Sequence, residues 1–273
     1  ADRVGAAVKN NEGEWVLLNG NQTALMFVYY LITRWKELGK INGKEYIVKT
    51  IVTTETIKTI AERNGVEMYD VYTGFKWIAN VMRENEGKKN YIGGGEESYG
   101  FLCEDFVRDK DAVSACVILA EIAAWAKDQG LSLYQLLQKI YVEYGFSKEK
   151  GISVVKKGKS GAEEIEAMMK KFRENPLTEI AGSKVTYFYD YSTLKGKDYA
   201  ENETVTLDMP TTSNVLQYFT EDNTKVSIRP SGTEPKIKFY CEVHSKVKSI
   251  DELPEAEKAA EEKINQIKAS LGI

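Results

Sequence analysis

Apolar residues in the first half of the chain come in short dense runs, separated by longer stretches in which they recur at helical spacing. The short runs predict strands and the periodic stretches helices. A hairpin is expected over the first 18 residues, its strands joined by the turn Asn10-Asn-Glu-Gly13. An apolar-rich helix follows over 22–38, introduced by Asn19-Gly20-Asn21 as a cap region. Residues 48–53 read as a buried strand and 55–64 as an amphipathic helix, closed by Gly65 in the left-handed conformation that glycine takes without a Cβ clash. Then come a strand over 68–72, a helix through Arg83, and a strand over 90–93 that ends in Gly93-Gly94-Gly95. Helices over 112–129 and 133–144 complete the alternation, the signature of a parallel α/β layer.

After Gly145 the texture changes. Residues 148–159 are rich in Lys, Ser and Gly, and the domain boundary is placed there. Beyond it, strands are expected over 152–155, 185–191, 204–207, 216–219, 225–228 and 237–243, with helices over 162–173 and 254–269. The expected fold is α/β: a three-layer α/β domain with a mostly parallel sheet, followed by an α+β domain with a mostly antiparallel sheet.

Composition narrows the function classes. At 273 residues, two domains are expected. Lys and Arg total 37 against 41 Asp and Glu, a net charge of -4, which argues against a general nucleic-acid binder. No apolar run approaches the ~18–20 residues of a membrane span, and no basic-then-apolar leader opens the chain, so no membrane partner is expected. Cys103, Cys116 and Cys241 form neither a disulfide framework nor a CxxC pair, which suits a reducing compartment, and the expected location is the cytoplasm. The single histidine, His244, expected on a strand edge, removes His-based triads and two-His zinc sites. Trp15, Trp35, Trp77 and Trp125 are read as core residues. Chemistry falls to carboxylates, Lys, Arg, hydroxyls and backbone amides.

The strongest local signal is the run Arg229-Pro-Ser-Gly-Thr-Glu-Pro-Lys-Ile-Lys238. Lys225, Arg229, Lys236 and Lys238 face Glu234 alone, a focused cationic spot in an acidic chain. Ser231, Gly232 and Thr233 offer hydroxyl donors and a backbone that an anion can approach closely. Arg229 can hold a phosphate in bidentate fashion, and Lys238 adds a fixed charge. The same residues also describe a hairpin turn with solvated lysines. A second signal, Gly93-Gly-Gly-Glu-Glu-Ser-Tyr-Gly100, places Glu96 and Ser98 on a glycine-freed loop at a strand end, where ligands of open α/β sheets bind. A carboxylate and a hydroxyl there suit vicinal sugar hydroxyls; the alternative is a turn with exposed acids. Arg108-Asp-Lys-Asp111 is, on pattern alone, a helix cap with a solvated pair. Thr73-Gly-Phe-Lys76 lies between a strand and a helix and could bring a lysine to a pocket rim. Asp2 is a single carboxylate, whereas Mg²⁺ takes about six oxygens.

Together these segments resemble the α-D-phosphohexomutases, the phosphoglucomutase and phosphomannomutase family. Arg229 to Lys238 is similar to the family's phosphate-binding loop, and Gly95-Glu-Glu-Ser-Tyr-Gly100 to its sugar-binding loop. Arg108-Asp-Lys-Asp111 and Thr73-Gly-Phe-Lys76 fall where the family places further substrate contacts. Asp2-Arg-Val-Gly5 resembles the end of its metal loop. The Glu-Glu-Ser form of the sugar loop leans toward the phosphoglucomutase or phosphopentomutase-like branch.

The resemblance implies a reversible phosphoryl shuttle between C1 and C6 of a hexose, through a sugar 1,6-bisphosphate and an enzyme phosphoserine. It implies that Glu96 and Ser98 grip sugar hydroxyls, and that Arg229, Ser231, Gly232, Thr233 and Lys238 clamp the non-reacting phosphate. Lys238 stands where the family usually has Arg. Lys110 is implied near the reacting oxygens as a general acid/base; Thr73, Gly74, Arg108 and Arg3 are implied substrate contacts. Asp2 would be the third ligand of an incomplete Mg²⁺ site, and glucose 1,6-bisphosphate the activator. The segment carrying the nucleophilic serine and the first two metal aspartates are absent, and the chain opens without Met. It therefore reads as a carboxy-terminal part lacking the amino-terminal domains of the same protein. Residues 1–18 would be a remnant of the preceding metal-loop domain, 19–147 the sugar-binding domain and 148–273 the phosphate-binding domain. Alone, this part is expected to be inactive. A noncatalytic phosphosugar-binding module, a phosphomannomutase and a phosphopentomutase are the alternatives.

Overall fold

The computed structural model describes residues 1–156, 158–232 and 234–273, with the Lys159 side chain outside the description. Contacts divide it into two units, Ala1–Phe146 with Lys246–Leu253, and Ser147–Ser245 with Pro254–Ile273. Among the described residues, no helix is long and apolar enough to cross a membrane.

In the first unit, β1 (Ala6–Lys9) and β2 (Trp15–Leu18) form an antiparallel hairpin, with Ala7 opposite Leu17 and Lys9 opposite Trp15. Helix α1 (Gly20–Glu37) starts in a reciprocal cap. The Asn19 side chain accepts from the Gln22 amide at 2.9 Å, and the Gln22 side chain accepts from the Asn19 amide at 2.9 Å. Residues 23–32 of α1 are buried all round, as an apolar run without a polar stripe requires. The central strand β3 (Glu45–Thr50) pairs in parallel with β4 (Glu67–Val71) on one side and β5 (Asn90–Gly95) on the other. A short strand β6 (Phe101–Cys103), unseen in the periodicity, closes the sheet antiparallel to β5.

Helix α2 (Thr56–Arg63) ends at Gly65, whose φ is +69° as expected. Helix α3 (Phe75–Asn85) covers one face of the sheet, its Phe75, Ile78 and Met82 packing on Tyr46, Val48 and Tyr91. On the other face α1 meets β5 and stacks Phe27 on Phe101, ring centroids 4.6 Å apart. Helices α4 (Ala112–Asp128) and α5 (Leu133–Tyr144) pack against α1.

In the second unit, β7 (Phe146–Val155) enters the sheet at once. Helix α6 (Gly158–Glu174) and strands β8 (Glu179–Ile180), β9 (Ser183–Asp190), β10 (Lys195–Asp198) and β11 (Glu203–Thr206) follow. Then come β12 (Leu216–Thr220), β13 (Lys225–Pro230), β14 (Lys236–Ser245), a 3₁₀ turn at Ile250–Glu252 and α7 (Leu253–Leu271). The strand order is β11-β10-β9-β12-β13-β14-β7, with β8 on β9. Every pair from β8 to β14 is antiparallel. Helix α6 buries Ile165, Met169 and Phe172, and Phe172 meets Phe239 of β14 edge-on. Lys148 anchors α7 through Glu257 and Glu261.

The long strand β7 covers most of the Lys-rich stretch in which the domain boundary is placed. His244 lies one residue before the end of β14, beyond Glu242, the outermost residue of β14 that β13 pairs. One reading is corrected. Trp15 is 69% exposed, on the outer face of the hairpin, not in the core.

Candidate functional site

In the first unit, the parallel strands β3, β4 and β5 end on one side of the sheet, the side where open α/β sheets bind ligands. Glu96 follows β5, and Thr73 and Gly74 follow β4. Glu96 is 8% exposed as a residue, and its carboxylate Oε1 accepts from the Gly74 amide at 2.8 Å. The Glu96 amide donates to the Gly100 carbonyl at 2.8 Å, closing the loop. Gly74 has φ +112°, a conformation that a Cβ strongly disfavours, so glycine is what lets its amide point at the carboxylate.

Lys110 reaches the same place. A Cβ on Gly100 would lie 2.6 Å from Lys110 Cδ and 3.5 Å from Glu96 Oε2. The Lys110 side chain is 16% exposed, its Nζ 3.2 Å from Asp109 and 3.6 Å from Asp2, above the Phe75 ring. Asp2 is held there because the opening segment is tied at two points. The Val4 amide donates to the Tyr99 carbonyl at 3.1 Å, and the Ala112 amide to the Ala1 carbonyl at 3.4 Å. Ser98 is half-buried in the same turn, next to Tyr99, whose φ of +72° is unusual for a bulky side chain and marks stored strain. Asp2, Gly74, Glu96 and Lys110 thus come together, with half-buried Thr73 beside them.

Arg108 pairs with Glu86 at 3.2 Å, at the far end of α3 from Gly74, about 16 Å along the helix. Lys76 is exposed and lies over the Trp77 ring, and Arg3 is exposed ahead of β1. Gly93, Gly94 and Gly95 do not free a loop; they are buried inside β5. A Cβ on Gly94 would sit 2.3 Å from the Val48 carbonyl, and one on Gly95 2.5 Å from that of Gly100, so these glycines serve close strand packing.

Two further features were not read from the pattern. Lys49, 1% exposed on β3, bonds Asp70 at 2.7 Å and Glu55 at 2.9 Å, fixing the strand ends at the ligand side. A lone lysine in the apolar run 46–52 was the available signal. Gly20, the first residue of α1, receives the backbone of residues 97–99. A Cβ there would lie 2.0 Å from the Glu97 carbonyl oxygen.

In the second unit, β13 and β14 form a hairpin in which Arg229 is the direct partner of Lys238. Both side chains stand on the face away from Ile237 and Phe239, which point to the α6 side. The turn is held by the Ser231 amide donating to the Lys236 carbonyl at 2.8 Å and by the Lys236–Glu234 ion pair. Ser231 also lines a groove of about 620 Å³ with Pro230, Glu234, Pro235 and α6. Among the described residues beyond its chain neighbours, nothing lies within 4 Å of a Cβ placed on Gly232. Thr233 lies outside the described residues.

The donor set does not fit a complete Mg²⁺ site. Among the described residues, no three His, Cys, Asp or Glu side chains converge, and Asp2 faces the Lys110 ammonium.

The fold is that of a parallel-sheet α/β unit with a polar cluster at its strand ends, followed by an antiparallel α+β unit with a cationic hairpin. The family model of the phosphoglucomutase/phosphomannomutase alpha/beta/alpha domain III matches residues 19–144, and that of the C-terminal domain matches residues 153–260. The chain therefore belongs to the phosphoglucomutase/phosphomannomutase family. A phosphoglucomutase of Staphylococcus aureus (strain MRSA252) is 38% identical over 240 residues, 88% of this chain and 42% of its own length. One of Staphylococcus haemolyticus is 33% identical over 243 residues, 89% of this chain and 43% of its own length. The chain thus spans less than half the length of these curated relatives. Among solved structures, parafusin, a phosphoglucomutase of Paramecium in its open form, covers 97% of this chain and 44% of its own, at 17% identity and TM-score 0.57. A phosphoglucomutase/phosphomannomutase family protein of Burkholderia thailandensis covers 99% of this chain and 45% of its own, at 16% identity and TM-score 0.57. At those identities the likeness concerns the fold.

Proposed function

We propose that this chain is the carboxy-terminal part of a phosphoglucomutase and supplies its sugar and phosphate recognition. The observation that carries the reading is the Glu96 carboxylate, pinned by the Gly74 amide with Lys110 beside it, at the ligand end of the sheet. In this reading Glu96 Oε2 and the Ser98 hydroxyl take sugar hydroxyls, while Arg229, Lys238 and the Gly232 backbone take the phosphate that does not react. Lys110 stands by the reacting oxygen. The whole protein would pass a phosphoryl group from a serine ahead of this chain to the free sugar hydroxyl. The serine–phosphate bond breaks as the sugar O–P bond forms, and the hydroxyl proton leaves to a general base, the part proposed here for Lys110. The bisphosphate then returns its other phosphoryl group to the serine. Such transfer is accelerated chiefly by positioning and charge neutralisation.

Asp2 can offer one metal ligand. The rest of a Mg²⁺ shell belongs to the longer protein, as does any activation by glucose 1,6-bisphosphate. The cytoplasm is the proposed location.

The test is titration of the 273-residue chain with glucose 1-phosphate and glucose 6-phosphate, followed by NMR, alongside a coupled mutase assay. Weak saturable binding with shifts at both loops, and no turnover, is expected. Turnover by this chain above contaminant level, or no saturable binding of any sugar phosphate, would overturn the reading.

A further inference from the structure

Helix α4 is apolar on two opposite faces. Its inner face buries Ala112, Ala115, Ile122 and Ala126, at helical spacing. Its outer face carries Val113, Cys116, Val117 and Ala120, all exposed; Val113 is 69% and Val117 61% exposed. At 100° per residue these four positions fall within one stripe roughly 100° wide, opposite the buried one. Exposed apolar residues gathered on one side of a helix mark an interaction face. The same unit leaves a second apolar face uncovered. The β1–β2 hairpin turns Trp15 and Leu17 outward, and a two-stranded ribbon alone is marginal in water.

We infer that the outer stripe of α4 is the docking surface for the domains that precede residue 1 in the longer protein. Three observations select that occupant over a second copy or an unrelated partner. The matched regions are the family's domain III and its C-terminal domain, and the relatives are more than twice as long, so the missing length lies ahead of this chain. The first residue sits at the start of the stripe, since the Ala112 amide bonds the Ala1 carbonyl and polypeptide arriving there emerges beside Val113. From Val113 to Ala120 the stripe consists of small and β-branched side chains without charge, Lys127 entering it only in the last turn, as a permanently covered intrachain face does and as a transient charged contact does not. The inference rests on the reading that this chain is a carboxy-terminal part.

Cys116 lies in the stripe, whereas Cys103 and Cys241 are buried, so one thiol reports on its coverage. Maleimide labelling, mapped by peptide mass spectrometry, is compared between this chain and the longest polypeptide its gene encodes. Cys116 is expected to label readily in this chain and about ten-fold or more slower in the longer protein, with Cys103 and Cys241 protected in both. Val117→Glu should leave the unfolding midpoint of this chain unchanged and lower that of the longer protein. Equal labelling rates overturn the inference. So does protection already present in this chain and lost on dilution, which would make a second copy the occupant, or a gene that encodes no domain ahead of residue 1. A longer protein that is an active mutase yet leaves Cys116 reactive removes the docking surface and keeps the proposed function. One that protects Cys116 but lacks activity does the reverse.

Discussion

Arg229 and Lys238 are direct cross-strand partners in the β13–β14 hairpin, so their side chains rise from the same face of the sheet. Two cations this close repel one another unless an anion lies between them or water screens them. The arrangement suits a phosphate, with Arg229 supplying a planar fork and Lys238 a point charge.

Arg229→Ala should therefore weaken binding of inorganic phosphate or a sugar phosphate by about 1–3 kcal/mol, the worth of a charged hydrogen-bond partner. Lys238→Arg should bind at least as well as the wild type, because it keeps the charge and adds a second directed donor. Calorimetric titration of both variants checks this. An unchanged affinity in Arg229→Ala would remove the hairpin from the site.

The part proposed for Glu96 is different, and its substitution should leave a different trace. Its Oε1 accepts from the Gly74 amide, and Oε2 is the atom proposed to meet a ligand hydroxyl. Glu96→Ala should erode discrimination among glucose, mannose and pentose phosphates more than it weakens phosphate binding as such. Competition titrations with the three sugars measure this, and an equal loss for all of them would count against the assignment.

Gly20→Ala tests whether α1 seats the sugar loop. The new Cβ would lie 2.0 Å from the Glu97 carbonyl, and backbone on both sides cannot yield as a flexible side chain does. The loop over 97–99 should be pushed off the helix start, at a cost of roughly 1–3 kcal/mol for overpacking. The unfolding midpoint and the NMR shifts of Ser98 and Tyr99 should move together.

Lys49→Met removes a buried cation from between Asp70 and Glu55. Breaking a buried pair in this way costs about 3–5 kcal/mol. Here Asp70 and Glu55 keep some access to water, so the loss should lie toward the lower end. Denaturant melts of the first unit's signals read it directly.

The Lys225–Glu242–His244 cluster of the second unit sets a pH window. Burial raises the Glu242 pKa, but the charges of Lys225 and His244 outweigh it and hold the carboxyl well below its ordinary value. For His244, burial lowers the pKa and the Glu242 carboxylate, 2.7 Å away, more than restores it, leaving a net rise. A depressed carboxyl contributes stability above its unfolded value of 4.5, lost as pH falls through the folded value. A raised histidine contributes below its unfolded value of 6.5, lost as pH rises through the folded value. The second unit should thus gain most from the cluster between pH 4.5 and 6.5. In His244→Asn the decline on the alkaline side should flatten, as denaturant melts across pH 4 to 9 would record.

Local pattern was enough for the helices and most strands. Hydrophobic periodicity and caps such as Asn19 with Gln22 act within a few residues, so the alternation of the first unit and the antiparallel strands of the second can be read from the chain. The motifs around Glu96, Lys110 and Arg229 were legible for the same reason: each is a contiguous run. What local pattern could not supply was the partner of each side chain. That Gly74 bonds Glu96 across 22 positions, that Lys49 is buried between two carboxylates, and that Arg108 turns to Glu86 are decided by strand register and helix packing. The glycines of β5 show the difference most plainly. Their composition suggests a loose loop, but a strand pressed between Val48, Leu31 and Phe101 leaves no room for a Cβ. The sequence by itself determined which elements form and where the charged and hydroxyl-bearing runs lie along the chain. The tertiary structure alone decided which of them meet, because contact between distant positions depends on how sheets and helices pack, and no local spacing encodes it.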